Sequence, residues 1–154
     1  MKIKEIMAKE CFALSPDDTL VKAAQSMKRH NVGALPIVQD DRLLGIITDR
    51  DITIEGVAAG CDPQHHKVRD FMTAEPITIS PDASLEEAAD LMGRHQVRRL
   101  PVTEQGRLLG MISIGDLAVN LTDDRIVANL LRRVSLPVRT EVPVGAVRTQ
   151  AQVA

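Results

Sequence analysis

The residues best suited to chemistry recur at a constant offset of 65 positions: Thr48-x-x-Asp51 and, further along, Ser113-x-x-Asp116. Each hydroxyl–acid pair follows a glycine and two aliphatics, Gly45-Ile46-Ile47 in one copy and Gly110-Met111-Ile112 in the other. The chemistry on offer is recognition rather than bond-making. A carboxylate with two acceptor oxygens can take both hydroxyls of a ribose, and Thr48 or Ser113 can donate to a phosphate. A helix opening at this point would add free N–H groups and a positive dipole end. Gly45 and Gly110 leave room for a close approach. The same residues also spell a capping box, in which hydroxyl and acid satisfy backbone donors and touch no ligand. Both readings stand on the sequence; the duplication, and Asp in both copies where Glu is more usual, weigh toward a ligand.

Other candidates carry less. Cys61, His65 and His66 are of metal-ligating types, but no convincing fourth ligand lies nearby, so an exposed connector without metal is expected. His30 and His95 fall where helices should end, a place in which positive charge complements the dipole. There is no P-loop, no Gly-x-Ser-x-Gly and no His-Glu-x-x-His, so no enzyme is expected.

Composition narrows the partners. The 154 residues, 44% hydrophobic, suit one ordinary domain or two very small ones. With 19 basic and 21 acidic residues interspersed and a formal net charge of -2, there is no electrostatic case for nucleic acid or an anionic membrane. Two Phe, no Trp and no Tyr lead us to expect that any bound base is held by aliphatic side chains. Cys11 and Cys61 form no disulfide framework, the first residues lack an apolar signal region and no apolar run could span a bilayer; the cytoplasm is the expected compartment.

The elements that must position the motifs are themselves duplicated. Over residues 15–52, 18 of 38 positions are identical to those 65 further on, without a gap. Residues 3–7 read as a helical turn echoed at 68–72, and residues 11–14 and 76–79 as short strands ahead of Ser-Pro-Asp turns. Leu20, Ala23, Ala24 and Met27 share one helical face, as do Leu85, Ala88, Ala89 and Met92, with Ser84 and Glu87 as a capping box and ends near His30 and His95. Strands over 32–38 and 97–103 contain Pro36 and Pro101, which suits an edge or a bulge. Hairpin turns at Asp40-Asp41 and Gln105-Gly106 lead into the apolar runs 43–47 and 108–112. Each unit is a βαββα element too small to bury both faces alone, so the copies should pack about a pseudo-twofold axis. The expected division is 1–60, a connector at 61–67, 68–121, a helix at 122–135 and a poorly ordered tail at 136–154. The apolar stripe Ile126, Val127, Leu130, Leu131 and Val134 suits packing on the module or a dimer contact.

Two βαββα units each ending in Gly-h-h-Thr/Ser-x-x-Asp, with Ser-Pro-Asp turns, Ala23-Ala24 and the pairs Leu35-Pro36 and Leu100-Pro101, resemble a tandem pair of cystathionine-β-synthase (CBS) domains, the Bateman module, over roughly residues 3–121. Stretches 31–36 and 95–101 are most similar to small stand-alone bacterial members of the hypoxic response protein type. The resemblance implies an α/β (α+β) fold, a homodimer of four domains, and regulation of a downstream protein. It also implies an adenosine-containing ligand such as AMP, ADP, ATP or S-adenosylmethionine, with no other cofactor. On that pattern Asp51 and Asp116 hold ribose and Thr48 and Ser113 contact phosphate or ribose. Adenine lies against Ala13, Leu14, Leu35 and Pro36 in one half and Thr78, Ile79, Leu100 and Pro101 in the other. Arg98 and Arg99, whose counterparts are Gly33 and Ala34, are phosphate candidates, as is Arg50, replaced by Gly115 in the other copy. The alternative is a ligand-free interaction module whose motifs serve only as helix caps.

Overall fold

A computed structural model of the chain describes residues 1–137, so the expected tail lies, beyond Pro137, outside the described residues. The chain order is α1 (Ile3–Ile6), α2 (Leu20–His30), β1 (Ala34–Gln39), β2 (Arg42–Thr48), α3 (Asp49–Asp51) continuing as a π-helical turn (Ile52–Val57), a 3-10 turn (Val68–Asp70), β3 (Thr73–Ala74), α4 (Leu85–His95), β4 (Arg99–Glu104), β5 (Arg107–Ser113), α5 (Ile114–Asn120) and α6 (Asp124–Ser135). This is a mixed helix and antiparallel-sheet protein, α+β, in two repeats.

Local chemistry explains the elements. Thr19 and Ser84 cap α2 and α4 by accepting the N–H groups of Lys22 and Glu87, and both helices end on a left-handed residue, Asn31 or Gln96, each at φ 53°. Left-handed pairs at Asp40-Asp41 and Gln105-Gly106 make the hairpin turns of β1–β2 and β4–β5. The sheet order is β1-β2-β5-β4, so Pro36 and Pro101 fall on the outer strands, each beside a register shift. The strands expected at 11–14 and 76–79 reduce to single bridges, Leu14 to Ile37 and Ile79 to Val102. Only Leu14 and Ile79 of these segments turn inward.

The repeats interlock. Ile3, at the head of the first repeat, is fully buried in the core of the second beside Leu100, Ile112 and Leu117. Val68, at the head of the second, is buried in the core of the first beside Leu35 and Ile47. Main-chain bonds hold each exchanged segment on the other repeat's Ser-Pro-Asp turn: Ile3 N–H to Ala83 and Lys4 N–H to Pro81, Val68 N–H to Asp18 and Arg69 N–H to Pro16. Ion pairs repeat the pattern, Lys2 and Lys4 to Asp82 and Lys67 and Arg69 to Asp17. Gly45 and Gly110 serve this exchange. A Cβ on Gly110 would lie 2.6 Å from the Ala8 carbonyl, and one on Gly45 2.7 Å from that of Thr73. The close approach expected of these glycines is made by the opposite repeat's backbone. Helix α6 packs on α4 through the buried Leu130 and Val134, which extends the second core.

Candidate functional site

Both motifs fold as capping boxes. Thr48 N–H donates to Asp51 Oδ2 at 2.8 Å and Asp51 N–H returns a bond to Thr48 Oγ1 at 3.1 Å. Ser113 N–H and Oγ both donate to Asp116 Oδ2 at 2.7 Å, and Asp116 N–H reaches Ser113 Oγ at 3.2 Å. In each box one carboxylate oxygen, Oδ1, takes no bond from a described residue. The cap therefore occupies half of the acceptor capacity that a ribose would use. The box also holds the carboxylate in one orientation at the head of its helix.

Asp116 faces a cleft built across the two repeats, with a cavity volume of about 230 Å³. One wall is from the first repeat: Cys11, Phe12, Val32, Ala34, Leu35 and Pro36. The other is from the second: Arg99, Met111, Ile112, Ser113 and Asp116, with Ala8 and Glu10 alongside. The lining is mostly apolar with a few convergent polar groups, the usual make-up of a small-molecule site. Among the described residues Arg99 makes no ion pair, so its guanidinium is free to meet an anion. Burial pushes the Cys11 thiol up, and its Sγ lies 3.7 Å from the Ala8 carbonyl oxygen.

Several expected site residues meet here, but in a crossed arrangement. Leu35 and Pro36, on the strand paired with β2, share the cleft lining with Ser113 and Asp116, whereas Thr48 and Asp51 are not part of it. Leu14 and Ile79 lie in the two cores, away from the lining, and the cleft-lining positions expected of Ala13 and Leu14 are taken by Cys11 and Phe12. Ala13 borders a separate shallow hollow with Lys9 and Leu108, and Thr78 is exposed. Leu100 and Pro101 are buried on β4; the 65-residue offset maps them, with Thr48 and Asp51, onto the counterparts of the cleft-lining set. Arg98 is exposed, its carbonyl accepting from Ile114 N–H, and Arg50 lies with Asp49, Thr53 and Ile54 on another face.

Phe12 is one of the lining residues that sequence reasoning missed, with Cys11, Val32, Ala34, Met111 and Ile112. The expectation that a bound base is held by aliphatic side chains took no account of the Phe12 ring, which lines the cleft. The segment 11–14 makes only a single bridge at Leu14, so the alternation of a regular strand does not place Phe12 and no local signal gave its exposure. In the connector, His65 Nδ1 lies 2.6 Å from Asp62 Oδ2 and His66 Nδ1 lies 2.8 Å from the Asp62 carbonyl. Among the described residues no three His, Cys, Asp or Glu side chains are placed to share a metal ion.

Comparison with known proteins decides the family. The CBS domain model matches residues 3–56 and 68–123. The chain belongs to the CBS domain family. It is 41% identical over 133 residues to the CBS domain-containing protein YhcV of Bacillus subtilis, covering 86% of this chain and 94% of that one. The crystal structure of Hypoxic Response Protein I with two coordinated zinc ions superposes with a TM-score of 0.73 at 39% identity, covering 79% of this chain and 99% of that one. The CBS domain pair of protein MJ0100 in complex with 5′-methylthioadenosine and S-adenosyl-L-methionine gives a TM-score of 0.70 at 26% identity, covering 77% and 94%. The family and the α+β pair of domains agree with the resemblance read from the sequence.

Proposed function

We propose that this CBS pair is a regulatory module that takes an adenosine-containing molecule in the cleft between its repeats and performs no catalysis of its own. One observation carries the reading: the cleft joins an apolar wall of the first repeat to Asp116, with its unengaged Oδ1, and Arg99 of the second. The base would lie on Pro36 and Phe12, the ribose hydroxyls on Asp116 and an anionic group on Arg99. With Glu10 and Asp116 against a single arginine, the lining suits a monophosphate or an uncharged or cationic adenosyl compound better than a triphosphate. The complex of protein MJ0100 supports this class of ligand.

The regulatory step follows from the crossed walls. A ligand that touches both repeats favours the arrangement in which they stand at binding distance, and residues 8–12, which lead out of α1 along the cleft, register the change. A homodimer of four CBS domains, cytoplasmic and acting on a downstream protein, completes the proposal. No described helix is long and apolar enough to cross a membrane. A second reading, a ligand-free interaction module, is favoured by the completeness of both capping boxes.

Isothermal titration calorimetry against AMP, ADP, ATP, S-adenosylmethionine and NAD separates the two. Micromolar binding, about -8 kcal/mol, to at least one is the expected result. Silence toward all of them from folded protein would leave the interaction module standing.

A further inference from the structure

We infer that Phe12, braced by His30, is the platform for the purine and makes the two pseudo-symmetric half-sites unequal; the inference rests on the adenosyl reading above. The chain has two phenylalanines. Phe71 packs against the first repeat's core, whereas Phe12 lines the cleft and keeps 39% of its surface exposed. The His30 ring lies parallel to it, with centroids 3.4 Å apart and planes 7° off. His30 is the last residue of α2 and is not part of the cleft lining, so the surface of Phe12 that reaches the cleft is one His30 does not cover.

The helix thereby fixes the ring from behind. A free phenylalanine on a loop would lose side-chain freedom when a base stacked on it; this one is already held, so less of the stacking free energy is offset. The offset of 65 places Ile77 where Phe12 stands, and an isoleucine has no π face. His95 recurs at the end of α4, but it has no aromatic partner at 77. Pro36 and Asp116, by contrast, have the identical counterparts Pro101 and Asp51. The half-site containing Phe12 thus selects for the base, while its counterpart offers ribose contacts with only aliphatic support.

The test uses the full chain and two ligands that differ only in the base, AMP and ribose 5-phosphate. With no Trp or Tyr, the aromatic proton spectrum contains two Phe and four His spin systems, so the Phe12 ring is followed directly. Upfield movement of Phe12 resonances with AMP and none with ribose 5-phosphate is expected. Phe12→Ile, which installs the other repeat's residue, should weaken AMP roughly tenfold and leave ribose 5-phosphate unchanged by calorimetry. Phe12→Leu should behave in the same way if the first variant fails to fold. His30→Ala should weaken AMP less and broaden the Phe12 resonances, the mark of a positioning residue. Undiminished AMP affinity in folded Phe12→Ile or Phe12→Leu overturns the role of Phe12 alone. Failure of the wild-type chain to bind any adenosyl compound overturns the functional reading with it.

Discussion

The proposed function gives Asp116 two roles, helix cap and ribose acceptor, and its replacements should separate them. Its Oδ2 accepts two bonds from Ser113, and its Oδ1 is, on the proposed reading, the acceptor for ribose. Asparagine keeps an amide oxygen for the Ser113 N–H and gives up the charge, so the helix cap should survive at a cost of about 0.3–1 kcal/mol. Alanine removes the cap acceptor altogether and should cost about 0.5–2 kcal/mol. At this chain length each kcal/mol moves Tm by roughly 2–4 °C, so Asp116→Asn should melt within a few degrees of wild type and Asp116→Ala about twice as far below it. Affinity should follow a different order. A hydrogen bond to a charged acceptor is worth about 1.5–3 kcal/mol, so both variants should lose roughly 10- to 150-fold in affinity for the adenosyl ligand. Thermal melts followed by circular dichroism, paired with calorimetric titrations, read the two effects independently. Wild-type affinity in Asp116→Asn would refute the reasoning, because it would leave the carboxylate as a cap and nothing more.

Gly110→Ala should cost about 1–3 kcal/mol from overpacking, since its new Cβ would sit 2.6 Å from the Ala8 carbonyl whose bonds with Met111 close the interlock; an unchanged melting temperature would contradict the interlock. Leu130→Ala should cost about 2–5 kcal/mol, because that residue is 2% exposed between α6 and α4; a loss well under this in a chemical melt would show that α6 is not part of the core. Acid should loosen the exchanged segments. Lys4 and Lys2 hold the Asp82 carboxyl at about 2, and Lys67 with Arg69 lowers that of Asp17. Their folded values lie below the usual carboxylate value of about 3.9, so the contribution is complete above that pH and fades as pH falls toward about 2. Both groups are exposed, so the effect should be small, and Asp82→Asn should flatten the acid limb of a melting-temperature profile slightly; a steeper limb would contradict the pairing.

Much of this architecture is legible in the residues because the duplication shows every signal twice. The helical faces of Leu20 and Leu85, the left-handed ends at Asn31 and Gln96 and the hairpin pairs all follow from local chemistry. What escapes is what depends on the partner repeat. Ile3 and Val68 look like members of their own units, and nothing local says that each completes the other's core. The same holds for Gly45 and Gly110, whose role is set by the distant backbone of Thr73 and of Ala8 only once the repeats have exchanged segments, and for the pairing of Pro36 with Asp116 rather than Asp51. Phe12 escaped for a related reason, since its place depends on the end of α2, where His30 stacks on it, and not on the alternation of its own short segment.

The crystal structure of the complex with the tightest-binding adenosyl compound tests the central claim most directly. The account predicts the base against Phe12 and Pro36 and the ribose hydroxyls on Asp116 Oδ1, with walls from both repeats. A ligand bound elsewhere, or in this cleft with its ribose turned away from Asp116, would contradict it.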